Sequence, residues 1–72
     1  MTDIKKLDEA IKNSGCRVSF LAKKCGLTEQ GFYNKRKGKR EFSCKEAHLL
    51  KNALNITNEE AINIFFADEV DL

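Results

Sequence analysis

Residues 18–37 read VSFLAKKCGLTEQGFYNKRK, and this stretch predicts two short helices joined by a tight turn. Leu21 and Ala22 are spaced to face inward from the first helix, and Cys25 closes its final turn. Gly26 follows at the point where the chain must reverse. Because glycine has no β-carbon, it adopts the left-handed backbone conformation that ends a helix in this way.

The second helix of this stretch has an inward and an outward side. Leu27 returns to the core, Thr28 is placed to cap the helix, and Phe32 lies four residues past the cap on the inward side. The outward side carries hydrogen-bonding side chains at positions i, i+3, i+4 and i+7, namely Gln30, Tyr33, Asn34 and Lys37. Two helices joined by such a turn form the sequence signature of a helix-turn-helix.

Three further helices are predicted around this pair. Residues 3–13 form an amphipathic helix with an apolar stripe, namely Ile4, Leu7, Ala10 and Ile11. Ser43 and Thr57 each precede a helical pattern, and Glu46 and Glu60 follow them three residues later, which predicts two capping boxes. The chain of 72 residues contains no proline. We therefore predict an all-α fold, one compact five-helix domain over the whole chain, with helices two and three as the helix-turn-helix.

The fifth predicted helix, residues 58–66, holds more apolar side chains than a single inward stripe uses. Ile62, Phe65 and Phe66 fit one stripe, while Ile64 points elsewhere. One interpretation is a small core filled from one end. The other is an apolar surface, formed by these four residues, for a dimer mate or another protein.

The positive charge of the chain is concentrated around the predicted helix-turn-helix. The whole chain carries a formal net charge of +2. Residues 17–40 hold eight Lys or Arg residues against the single Glu29, a net +7, whereas residues 41–72 carry a net −5. The last six residues, 67–72, form an acidic tail that we expect to be frayed. One interpretation of this basic segment is a surface that attracts phosphate groups. The alternative interpretation is a charged face that contacts only solvent.

The residue inventory argues against catalysis and against a metal site. The three cysteines, Cys16, Cys25 and Cys44, include no C-x-x-C pair, and His48 is the only histidine. A structural zinc site needs four such ligands at short spacings, so we expect reduced thiols and no metal. The chain has no paired carboxylates at a useful spacing and no glycine-rich phosphate loop. We therefore predict a protein that is not an enzyme and that has no cofactor or small-molecule ligand.

Hydropathy argues against a membrane location. No apolar run approaches the roughly 18 residues that a membrane span needs. The first ten residues, MTDIKKLDEA, are too charged for a signal peptide. We therefore expect a cytoplasmic protein with no membrane partner.

The segment LAKKCGLTEQGFYNKRKGK, residues 21–39, resembles the helix-turn-helix of the phage repressor and Cro family, also called XRE-like. The residues that fall where this family has its characteristic alanine, glycine and apolar positions are Ala22, Gly26, Leu27, Phe32 and Gly38. Residues 42–66, FSCKEAHLLKNALNITNEEAINIFF, are similar to the second half of small phage-encoded members. The resemblance implies a lambda-repressor-like fold and a role in transcription regulation.

Length and whole-chain character also resemble the modulator-of-repression proteins of temperate phages of Gram-positive bacteria. These proteins act with or against the phage repressor in the lysis–lysogeny switch, so the resemblance implies a protein as a second kind of partner.

Some residues depart from the repressor pattern. Glu29 replaces a glutamine that commonly reads adenine, and its carboxylate repels phosphate. Gly31 costs about 1 kcal/mol of helix stability relative to alanine. Lys35 occupies a usually apolar position, and the outward Tyr33 suits a protein contact better than base reading.

Two functions follow from these features. In the favoured one, the protein is an anti-repressor that binds the phage repressor through its helix-turn-helix, using Thr28, Glu29, Gln30, Tyr33, Asn34 and Lys37. In the alternative, a Cro-like repressor binds operator DNA, alone or jointly with the phage repressor, and Gln30 and Asn34 contact base edges. Phosphate contacts then come from Lys37 and from a basic set, Lys23, Lys24, Lys39 and Arg40. A homodimer formed through the last helix would set the spacing of the two half-sites.

Overall fold

Residues 1–69 are described by the structure, a computed structural model, and they form five α-helices without a strand. The helices are α1 (Ile4–Ser14), α2 (Val18–Lys24), α3 (Glu29–Arg36), α4 (Cys44–Leu54) and α5 (Asn58–Phe65). The predicted all-α architecture with five helices is thus confirmed for this part of the chain. α3 and α5 end one residue earlier than expected, because Lys37 and Phe66 are their C-caps.

Side-chain caps begin four of the five helices. The Asp3 carboxylate accepts a hydrogen bond from the Lys6 N–H at 3.1 Å, and α1 begins there. The predicted caps at Thr28, Ser43 and Thr57 are all formed, and the last two complete their capping boxes. Each such cap contributes about 1 kcal/mol, because it satisfies backbone N–H groups that the helix itself leaves open.

The turn between α2 and α3 follows the predicted geometry. Gly26 has a φ of +71°, in the left-handed region. The Leu27 N–H donates to the Ala22 carbonyl at 2.9 Å, and the Gly26 N–H donates to the Lys23 carbonyl at 3.0 Å. This is the hydrogen-bond pattern of a Schellman motif, which satisfies two carbonyls at the end of α2 and reverses the chain. We refer to residues 18–36, with this turn, as the α2–α3 unit.

The buried side chains form a single cluster to which all five helices contribute. Phe42, in the loop before α4, packs edge-on against two rings, with centroid distances of 5.9 Å to Phe32 and 5.5 Å to Phe65. It thereby ties the loop after α3 to α5. The cluster consists of Leu7, Ile11, Leu21, Ala22, Cys25, Phe32, Ala47, Leu50, Leu54, Ala61, Ile64 and Phe65.

The inward side of α5 differs from the prediction. Ala61, Ile64 and Phe65 are buried, whereas Ile62 is exposed. These three follow the spacing i, i+3, i+4, which makes one continuous helical stripe. The N-terminal segment lies against α5, where the Asp3 N–H donates to the Ile64 carbonyl at 2.7 Å.

The end of the chain is partly described. Ala67–Glu69 form a short 3-10 turn, which the expectation of a frayed tail did not include. The rest of the predicted tail, residues 70–72, lies outside the described residues. Among the helices of residues 1–69, none has the length and apolar character needed to cross a lipid bilayer.

Candidate recognition surface

The outward side of α3 is formed as the sequence predicts. Gln30, Tyr33 and Lys37 are exposed there, and Asn34 is half-buried. Phe32, on the opposite side of the helix, is fully buried and anchors α3 in the core. We call these four polar and aromatic residues the outer face of α3. Glu29 is also exposed, in the first turn of the helix.

Tyr33 lies at the centre of a small cationic cluster. Its side chain is 46% exposed, and the Lys37 and Lys39 ammonium nitrogens lie 5.8 and 5.7 Å from its ring centroid. Gly38, with a φ of +83°, turns the chain back, so that the Lys39 N–H donates to the Asn34 carbonyl at 2.9 Å. The two distances from the ammonium nitrogens to the ring centroid, 5.8 and 5.7 Å, are within cation–π range. The structure therefore brings Tyr33, Lys37 and Lys39 together, and we call them the Tyr33 cluster.

The polar residues of α3 make hydrogen bonds within the helix. Gln30 Nε2 donates to Asn34 Oδ1 at 3.1 Å, so the two amides predicted to read bases hold each other. One acceptor of Gln30 and the remaining donors of both amides are left for a partner. The Thr28 hydroxyl accepts a hydrogen bond from the Gly31 N–H at 3.0 Å. The main role of Thr28 is therefore to cap α3, and contact with a partner is a secondary role.

The basic residues divide into an ion-paired group and an exposed group. Lys35 pairs with Glu46 at 2.5 Å, and Arg36 pairs with Asp8 at 2.8 Å. None of the other six cations in residues 17–40 forms an ion pair with a carboxylate of residues 1–68. All six are exposed, namely Arg17, Lys23, Lys24, Lys37, Lys39 and Arg40. The predicted phosphate-contact residues thus present their charge to solvent.

Phe20 is an exposed aromatic residue that the sequence reasoning missed. It lies on α2 with 46% of its surface exposed, and the Lys24 ammonium nitrogen lies 5.4 Å from its ring centroid. The signal was present in the sequence. Leu21, Ala22 and Cys25 define the inward side of α2, and Phe20 falls outside that stripe.

The apolar partner surface predicted on α5 needs correction. Ile64 and Phe65 are buried in the core, so they are not available to a partner. Ile62 remains 48% exposed, and Phe66 is half-buried. These two lie along a groove of about 410 Å³ between α4 and α5, which we call the α4–α5 groove. It is lined by Cys44, Ala47, His48, Lys51, Asn58, Ala61, Ile62, Phe65 and Phe66.

The three cysteines are free thiols in different environments. Cys25 is buried, Cys16 is half-buried and Cys44 is exposed. Burial raises the pKa of the Cys25 thiol to about 11; the charge of Glu46 adds to this rise, and Lys35 opposes it. In residues 1–69, no three His, Cys, Asp or Glu side chains are grouped so that they could hold a metal ion.

Comparison with known proteins identifies no family. The chain matches no protein-family model, no curated protein and no solved structure.

Proposed function

We propose that this protein is a transcriptional regulator of a phage lysis–lysogeny switch, an anti-repressor that binds the phage repressor through the α2–α3 unit. The observation that carries the proposal is the Tyr33 cluster on the outer face of α3. A half-exposed aromatic ring flanked by ammonium groups is a typical anchor for a protein contact, because it buries a large area at low entropic cost.

The α2–α3 unit supports the helix-turn-helix assignment on which the proposal rests. Gly26 reverses the chain in the left-handed conformation, Thr28 caps α3, and Phe32 holds α3 in the core. A short α3 with a polar outer side is the form that a recognition helix takes. The sequence resemblance to phage regulators supplies the switch and the repressor as partner.

Two further features favour a protein partner over a nucleic acid. Phe20 adds a second half-exposed aromatic ring on α2, and aromatic side chains are enriched at protein interfaces. Glu29 places a negative charge in the first turn of α3. That charge opposes the approach of a phosphate backbone, whereas a protein surface can supply a cation for it.

The test is to mix purified repressor with this protein and to measure the mass of the complex by size exclusion with light scattering. We expect a one-to-one heterocomplex. Tyr33→Ala should weaken it at least about thirtyfold, the effect of losing an interface anchor worth about 2 kcal/mol. Ile62→Ala, which removes an equally exposed apolar side chain from α5, is the matched control and should leave affinity within about twofold. Absence of a heterocomplex, or a larger effect of Ile62→Ala, would refute the proposal.

A second candidate, operator binding by a Cro-like repressor, is favoured by one observation. The six exposed cations of residues 17–40 are available to phosphates, and an electrostatic contact of this kind falls steeply with salt. Removing Lys37 and Lys39 together should lower the slope of log affinity against log salt by about 2, since each phosphate contact contributes about 0.9. A gel shift with the operator, run with and without the repressor, separates direct binding from joint binding. Undetectable or salt-independent binding by this protein alone would exclude direct operator recognition.

A further inference from the structure

α3 is held in place by little apolar burial. The helix has eight residues, and Phe32 is the only one of them that is buried. Its outer face is polar, and Gly31 in the first half lowers the intrinsic helix stability. A helix with one buried side chain depends on other contacts for a fixed orientation.

Lys35 supplies such a contact, since its side chain turns back towards α4 and leaves only 18% of its surface exposed. Lys35 Nζ donates to Glu46 Oε1 at 2.5 Å, and the Glu46 side chain is only 16% exposed. An ion pair shielded from water to this extent is screened less by salt than a surface pair. The pair joins the last turn of α3 to the first turn of α4.

Glu46 serves two functions with one oxygen atom. Its Oε1 also accepts from the Ser43 N–H at 2.9 Å, and the Glu46 N–H donates to the Ser43 Oγ at 3.1 Å. The Cys25 thiol donates to the backbone carbonyl of Glu46, at 3.8 Å from Sγ. The end of α2, the last turn of α3 and the start of α4 therefore meet at this residue.

The chain contains a matched control for the capping function. Glu60 forms the same capping box with Thr57, at 3.0 and 3.1 Å. Glu60 is exposed, and no Lys or Arg of residues 1–68 pairs with it. Because glutamine also completes a capping box, Glu→Gln keeps the cap at either site and removes the charge. Only at Glu46 does that change break a link to α3.

We infer that Glu46 is a positioning residue for the outer face of α3, which it orients for a partner through its ion pair with Lys35. This inference rests on the proposed function, because it assumes that α3 contacts the partner. The link itself is a property of the free protein and is tested first, without any partner.

The first experiment measures amide hydrogen exchange in the free protein by NMR. Glu46→Gln should raise exchange at the amides of Phe32–Arg36 about three- to tenfold while α1 and α5 change less than twofold. Glu60→Gln should leave the α3 amides unchanged. Lys35→Met should reproduce the effect of Glu46→Gln, and the double variant should add nothing further, because both changes remove the same contact. Equal effects of Glu46→Gln and Glu60→Gln on α3, or a uniform rise in all helices, would overturn the inference.

A pH series provides a readout that general destabilisation would not reproduce. Burial raises the pKa of the Glu46 carboxyl, but the hydrogen bonds from Lys35 and Ser43 and the Lys35 charge together lower it below its usual value. The charged or titratable groups that face Glu46 are Lys35 of α3 and the Cys25 thiol of α2. The pKa of this thiol is about 11, so the thiol stays protonated in acid. The Asp8–Arg36 ion pair also contacts α3, and Lys35→Met leaves it intact, so its contribution is common to both proteins. As the pH falls through the lowered pKa of Glu46, amide exchange in α3 should therefore rise more in the wild-type protein than in Lys35→Met, which has no Lys35–Glu46 link to lose. Identical pH profiles would overturn the inference.

The last measurement is repressor affinity. Glu46→Gln should weaken the heterocomplex about three- to tenfold, and Glu60→Gln should stay within about twofold. If α3 exchange responds and affinity does not, Glu46 only stabilises the fold and the positioning role is rejected. Failure of the wild-type protein to bind repressor refutes the proposed function instead, and the exchange data keep the two failures distinct.

Discussion

Phe32 is the side chain on which the packing of α3 depends. It is fully buried, and its ring contacts Phe42 edge-on at 5.9 Å between centroids. A domain of this size has a total stability of about 4–11 kcal/mol, so the loss of one aromatic side chain removes much of it.

Phe32→Ala should destabilise the protein by about 3–5 kcal/mol, because it removes buried area and leaves a cavity. Urea denaturation followed by circular dichroism measures the change. Tyr33→Ala, one position further and half-exposed, should remain within about 0.5 kcal/mol and serves as the control. Similar losses for the two variants would mean that α3 does not depend on this buried ring.

The Cys25 thiol makes the free energy of unfolding depend on pH in the alkaline range. Burial, with a contribution from Glu46, raises the pKa of its thiol from 9.0 to about 11. The unfolded chain therefore loses this proton at lower pH than the folded protein does. The stabilisation is fully present below pH 9 and is lost as the pH rises through about 11.

A shift of this size corresponds to about 2–3 kcal/mol. Urea denaturation of the reduced protein should show a loss of stability between pH 8 and pH 11. This loss should be about 2–3 kcal/mol larger than the loss that Cys25→Ala shows over the same range. Subtracting the variant removes the pH dependence that both proteins share. Parallel curves for the two proteins would contradict the prediction.

Within α3, the cap and the glycine constrain each other. A β-carbon added at Gly31 would lie 3.1 Å from the Thr28 Oγ1, the atom that caps the helix. The sequence alone suggests that alanine at this position gains about 1 kcal/mol. Crowding at the cap opposes that gain, which gives a structural reason for the glycine.

Gly31→Ala should therefore stabilise the wild-type protein by less than about 1 kcal/mol, and it should recover the full gain in a Thr28→Ala background. The four proteins of this cycle are compared by urea denaturation. An equal gain in both backgrounds would show that the cap tolerates the added methyl group.

The predicted homodimer is a property of the whole molecule. With Ile64 and Phe65 in the core, the apolar surface of α5 is reduced to Ile62 and part of Phe66 in the α4–α5 groove. The predicted homodimer must use this groove if it forms through α5. Its basic rim residue, Lys51, and the acidic Glu59 of α5 offer opposite charges to a second copy.

Ile62→Asp should lower the self-association constant at least tenfold, because it places a charge in the apolar centre of the contact. Phe20→Asp, an equally exposed apolar residue on α2, should leave that constant unchanged. Sedimentation equilibrium measures both. A monomeric wild-type protein at high concentration, or equal effects of the two variants, would refute the homodimer through α5.

Much of the fold was predictable because it depends on residues close together in the chain. The caps at Thr28, Ser43 and Thr57, together with the left-handed Gly26, are set by partners within four or five residues. Local hydrogen bonds of this kind need no knowledge of distant contacts. The outer face of α3 was predictable for the same reason, since helical periodicity places its residues opposite Phe32.

Long-range packing determined what the sequence pattern left open. The apolar residues of α5 surround much of the helix, and long-range contacts such as that of Phe42 with Phe65 bury the side that contains Ile64 and Phe65. Lys35 looked like a departure from an apolar position, and only the approach of Glu46 from α4, eleven residues away, makes it an anchor. The sequence therefore determines the five helices, the caps at Thr28, Ser43 and Thr57, and the polar side of α3. Which side of α5 is buried, and which cations stay exposed, depends on how the helices meet, because those contacts join residues far apart in the chain.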